Sequence, residues 1–393
     1  MSAAQHYDAA MRALLTQRPD ALTHARAAVR ADPGSVAARL LEAWLLLWSR
    51  DARDFDAAGW VFARLTRMAK SARERAHGAA IATAVDGDYE GARRQLDAIV
   101  LEDPHDLIAL ATAQVFDYYL GNPEAQKART TRALRRWSAS DPGYHAMLSL
   151  HAFGLEESGD YGPAEEAALR AIELEPRDVR AHHVVSHVLE MQGRAEEGVR
   201  WMGSRTAWWT GLGSASTHLW WHLALYQLAL GRGRLALEVY DRRLQGDSLS
   251  ELIDASALLW RMHIAGVDVD ERFVVLATRW APYAEDAHCA FNDLHAMMAF
   301  AGAKRWDWAA LLLRAQTRRI DKPWSTNHDM TRLVGLPASR AILAYGRSDY
   351  AAAETLLRAL PPVAHRIGGS HAQRDILQLT RAAAAQRRPR LVA

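Results

Sequence analysis

A chain of 393 residues in which half the side chains are apolar and 24% are charged has the composition of a folded globular protein, long enough to bury a large core. With 48 Lys and Arg against 46 Asp and Glu, the formal charge of +2 excludes a surface built mainly to neutralise nucleic-acid phosphates. The single cysteine, Cys289, cannot close an intrachain disulfide, and the first fifteen residues lack a basic segment leading into an apolar run, so the expectation is a cytoplasmic protein without a membrane span.

Apolar residues recur every three or four positions, alanine is abundant and alternating β-branched runs are scarce, which predicts an all-α fold. The first predicted hairpin covers residues 35–66. Across residues 73–244 a phrase then repeats: Gly87-Asp88-Tyr89 with Ala92, and Gly159-Asp160-Tyr161 with Ala164, returning later as Gly346-Arg347-Ser348-Asp349-Tyr350 with Ala353. The turn glycines Gly87, Gly121, Gly159, Gly193 and Gly231 are spaced by 34, 38, 34 and 38 residues, and Pro104, Pro142 and Pro176 by 38 and 34. A 34-residue period is the tetratricopeptide signature, with glycine ending the first helix, alanine admitting its partner and proline stopping the second. The best-formed copy is residues 144–178. Degenerate hairpins are predicted at 251–280, 287–317 and 337–360, a capping helix at 370–386 and a frayed tail at 386–393, where Arg387, Arg388 and Arg390 flank Pro389. No linker interrupts the series, so the expected architecture is one continuous α-solenoid over residues 1–393, wound as a right-handed superhelix.

In such a stack the first helix of each hairpin lines the concave face with its second, fifth, ninth and twelfth residues. Counting back from the glycines points Phe153 and Glu156 inward from one hairpin, His183, His187 and Glu190 from the next, and His218, Trp221 and His222 from the third. His183/His187 and His218/His222 are i, i+4 pairs, each on one helix face, and so four imidazoles are candidate ligands for zinc, iron or manganese. His187 and His222 with Glu190 are also candidates for acid–base chemistry without a metal. Neutral imidazoles packed in a lined groove, with no His-Glu-x-x-His phrase present, are the structural alternative.

Two distal stretches are candidate ligand contacts. Asn292, Asp293 and His295 put three polar groups on an inner-type helix. In Gly368-Gly369-Ser370-His371-Ala372-Gln373-Arg374-Asp375, Ser370 is suited to cap the last helix, whose free amides and Arg374 would favour a carboxylate or phosphate, with His371, Gln373 and Asp375 alongside; the alternative is a cap that Arg374 and Asp375 tie down. Most of the 14 tryptophans are expected as core, Trp221 being the exception by position.

The stretches Leu150–Gly159, Ala181–Arg194, His218–Leu225 and Gly368–Asp375 together resemble the tetratricopeptide repeat protein 38 family over most of the chain. The resemblance implies a solenoid of degenerate hairpins and supplies no catalytic residues. Tetratricopeptide clamps for peptide carboxylates use inner-face Lys, Arg and Asn, whereas this groove offers His and Glu. The leading expectation is a binding protein whose concave groove takes a peptide, a protein partner or a small polar or anionic ligand. The other is an enzyme of hydrolase-like or other proton-transfer chemistry, using the histidines in a closed pocket.

Overall fold

A computed structural model of the chain describes residues 1–321 and 325–388, so Arg390 and the end of the expected tail lie outside the described residues. Among them there is no strand. The chain runs as antiparallel pairs: α1 (Ala3–Leu15) with α2 (Ala21–Ala31), α3 (Val36–Leu47) with α4 (Ala52–Leu65), α5 (Ala72–Val85) with α6 (Tyr89–Glu102), and α7 (Leu107–Leu120) with α8 (Pro123–Leu134). Next come α9 (Tyr144–Glu157) with α10 (Tyr161–Leu174), α11 (Val179–Met191) with α12 (Ala195–Gly203), the single turn α13 (Thr206–Trp209), and α14 (Gly213–Ala229) with α15 (Gly233–Arg243). Then follow α16 (Leu249–Ile264) with α17 (Asp270–Trp280), α18 (Ala290–Gly302) with α19 (Trp306–Ile320), the short α20 (Thr326–Met330), α21 (Leu336–Gly346) with α22 (Tyr350–Arg358), and α23 (His371–Arg387). A π-helical turn, Thr331–Gly335, leads into α21.

Every hairpin turns on a residue in the left-handed region. Gly87, Gly121, Gly159, Gly193, Gly231 and Gly266 do so through the middle of the chain, while Gln17, Arg50, Lys304 and Ser348 adopt the same backbone toward its ends. The hydrogen bonds match as well: Asp160 N donates to Leu155 O at 2.9 Å in a glycine turn, and Arg305 N to Phe300 O at 2.8 Å in the Lys304 turn. In the Gly346 phrase the turn residue is Ser348; Gly346 ends its helix, and a Cβ there would lie 2.9 Å from the Ala301 side chain. That glycine is set by close packing.

The two helices of a pair differ in burial because the first is covered on several sides and the second on one. In α9 eleven residues are buried and nearly continuous, whereas α10 buries only Ala164, Ala168 and Ala171, one stripe at helical spacing. Consecutive first helices are also stapled. Asp106 caps α7 and accepts from Arg73 (2.7 Å) and His77 (2.9 Å) on α5; Asp178 caps α11 and accepts from His145 on α9 at 2.8 Å.

The helices gather into two compact units, 1–219 and 220–393, with the boundary inside α14 and not in a linker. In the first unit each helix packs mainly on its neighbours in sequence. In the second, α23 returns to α16: Trp260 Nε1 donates to Thr380 Oγ1 at 2.9 Å, and Arg261 donates to the Ala372 carbonyl at 2.6 Å and pairs with Asp375.

Candidate functional site

The His145–Asp178 staple holds α9 and α11 in register at their N-terminal ends, and further along the same two helices bring Glu156, Glu157 and His187 together. His187 Nδ1 lies 3.4 Å from Glu156 Oε2 and 4.0 Å from Glu157 Oε1. All three side chains are buried. One turn earlier on α11, His183 meets His187 edge-on with ring centroids 4.3 Å apart, and His218 of α14 at 4.8 Å. Phe153 of α9 stacks on His183 at 5.8 Å and supplies an apolar wall.

Each of His183, His187 and His218 presents a ligand-type nitrogen, and these atoms lie within 4.8 Å of one another. The same limit holds for Glu156, Glu157 and His187. His187 is therefore common to an imidazole cluster and a carboxylate cluster. His183 and His218 are half-buried, whereas His187, Glu156 and Glu157 are buried. Burial, followed by the charges of His187, His218 and Arg180, holds the His183 imidazole well below its ordinary pKa. It is thus neutral at neutral pH, the form that ligates a metal. His222 follows His218 by four residues on the same face of α14, is fully buried, and packs its ring 4.9 Å from that of Trp221.

The structure brings together His183, His187 and His218, three of the residues that helix counting points inward, with Glu156 beside His187. Glu190 is half-buried near the end of α11. Trp221 is fully buried, with the Arg261 guanidinium 5.3 Å from its ring centroid. Two further residues escaped notice. Glu157 follows Glu156 directly, but its approach to His187 depends on how α9 meets α11. Arg180 occupies the second position of α11, one that the inner-face count itself selects, and it is buried.

The distal candidates all belong to the second unit. Asn292, Asp293 and His295 are buried on α18. Gln316 Nε2 donates to Asp293 Oδ2 at 3.3 Å, and burial raises the Asp293 carboxyl to about 7. His295 Nδ1 donates to the Phe291 carbonyl at 2.7 Å. At the start of α23, Ser370 and Gln373 complete a capping box, serving two of the amides expected to receive an anion. Arg374 donates to the Gly369 carbonyl, Asp375 pairs with Arg261, and His371 is exposed, so this segment shows the tying-down contacts of a cap. Cys289 is half-buried at the N-cap of α18.

No protein-family model matches the chain. Among solved structures it is similar to a chain of "Structure of Naa15/Naa10 bound to HypK-THB", with 15% sequence identity, 88% of this chain covered and a TM-score of 0.29. The match takes in 56% of that chain's length. No helix among the described residues is long and apolar enough to cross a membrane.

Proposed function

We propose that this chain is a helical-repeat protein of the tetratricopeptide repeat protein 38 type whose inner helices hold a divalent transition-metal ion of the zinc class, and that the pocket around it takes a small polar ligand. The observation that carries this reading is the convergence of nitrogens from His183, His187 and His218 within 4.8 Å, beside two carboxylates. Three imidazoles suit zinc, and acidic oxygens beside them offset the charge of the ion. Glu156 lies 3.4 Å from His187 Nδ1, a carboxylate beside an imidazole of the kind that orients metal-ligating histidines. An ion held there supplies Lewis acidity, and Glu157 is a carboxylate within reach to accept a proton, so hydrolysis of a bound ligand is the chemistry that the pocket favours.

A peptide clamp is less well supported. Residues 146–150 and 152–157 of α9 and 184–189 of α11 are buried in unbroken runs, which leaves little open wall for an extended partner.

The test is metal content by elemental mass spectrometry after equilibration with zinc and desalting, for the wild type and for His187→Ala. About one equivalent in the wild type, lost in the variant, is the expected result. Wild-type protein retaining less than about a tenth of an equivalent sinks the metal centre, leaving His187–Glu156 as a proton-transfer pair.

A further inference from the structure

Arg180 sits in the first turn of α11 with 7% of its surface exposed, and among the described residues its guanidinium has no hydrogen bond or ion pair. The other buried arginines are all engaged. Arg39 donates twice to the Pro33 carbonyl, Arg50 lies over the Tyr118 and Tyr119 rings, Arg129 pairs with Asp97 and Asp117, and Arg261 is held by α23. The nearest acid in sequence, Asp178, makes its direct contacts elsewhere, accepting from Ala181 N at 3.1 Å and meeting His145 at 2.8 Å, so that it acts on Arg180 only through its charge.

A guanidinium remains charged wherever it is placed, and the side-chain nitrogens of Arg180 are not sealed from solvent, so an anion can reach them. Arg180 is also on the cluster's side of its helix, since it precedes His183 by three residues and its charge is felt at that imidazole.

We propose that Arg180 is an anchor for an oxyanion, a carboxylate or phosphate group of the pocket's ligand. The fork of N–H donors matches the paired oxygens of either group, and an anion seated on it forms a charge-assisted pair. This names the ligand class of the pocket proposed above and rests on that reading for the metal's part alone; the anion site stands on Arg180.

The experiment is calorimetric titration of the zinc-equilibrated full chain with inorganic phosphate and, separately, with acetate, for the wild type, Arg180→Met, Arg180→Lys and the exposed control Arg234→Met. Melting temperature with and without each anion, and metal content, are read on the same samples. The expected result is that at least one anion binds the wild type and raises its melting temperature. Arg180→Met should weaken that binding tenfold or more and abolish the thermal shift, Arg180→Lys should restore part of both, and Arg234→Met should behave as wild type. Arg180→Met without anion should melt at or above the wild-type temperature, because a charge lacking a partner has been removed; a lower value would mark Arg180 as a structural residue and overturn the proposal. So would phosphate and acetate both failing to bind the wild type, or binding Arg180→Met equally well. A preference between the two anions assigns the group as phosphate or carboxylate. Wild-type protein without zinc that still binds an anion through Arg180 removes the metal reading and leaves this one standing.

Discussion

Lys304 turns the chain between α18 and α19 at φ 55°, a conformation that costs a residue bearing a Cβ roughly 1–2 kcal/mol. Its side chain is exposed, and its ion pair to Asp270 is long at 3.9 Å. Lys304→Gly should therefore stabilise the protein by about 0.5–1 kcal/mol, part of the relief being offset by the freer unfolded chain. Gly159→Ala tests the same physics in reverse: φ is 83° and nothing lies within 4 Å of the added methyl, so a loss of about 1 kcal/mol would be conformational alone. Urea midpoints measure both, and an unchanged midpoint in both variants would remove the strain argument. These turns also explain what the sequence made legible. Glycines at fixed spacing mark the hairpins from α5 to α15, but Gln17 and Arg50 take the same backbone with ordinary side chains, so the α1–α2 pair left no mark to count.

At the scale of helices, α9 approaches α8 so closely that a Cβ on Gly154 would lie 2.9 Å from the backbone nitrogen of Lys127. A helix backbone cannot yield as a side chain can, so Gly154→Ala must push the two helices apart, at a cost of about 1–3 kcal/mol. The same displacement moves Glu156 and Glu157, one turn or less away, relative to His187 on α11. The variant should thus retain zinc less tightly than wild type in a chelator competition even where it is fully folded, whereas Gly159→Ala, in the turn beyond, should not. Equal zinc retention in the two variants would separate helix spacing from the site. The inward positions of the histidines were readable because helical period alone decides which face a residue occupies. Which carboxylates meet His187, and that Arg180 finds no partner, depend on neighbouring helices and on an inventory of contacts that no single helix contains.

On the scale of the whole molecule, the two units are held together internally in different ways. The first is a chain of neighbours, each hairpin resting on the next. The second is fastened end to end by α23 on α16, with all thirteen residues of α18 buried. A buried group on α18 should therefore report on the stability of that unit as a block. Asp293 has a folded pKa raised to about 7 against an unfolded value near 4, so between those pH values the folded chain holds a proton that the unfolded chain releases. Its contribution is complete below pH ~4 and is lost as the pH rises through about 7. The urea midpoint should drop between pH 5 and pH 8 by more in the wild type than in Asp293→Asn, which keeps a polar group but cannot titrate. Equal drops would show that Asp293 does not hold its proton in the folded state.

The place where the two units divide has a practical bearing on cutting the chain. An expressed fragment that stopped at Leu219 would end part-way along α14, exposing the last carbonyls of a severed helix at an end not built to be one. A fragment running on to Gly231 stops where the chain itself ends that helix, at a residue already in the left-handed conformation. Split or permuted versions of this protein should accordingly be opened at hairpin turns such as Gly266, which has no neighbour within 4 Å of its missing side chain, and α14 should be left whole.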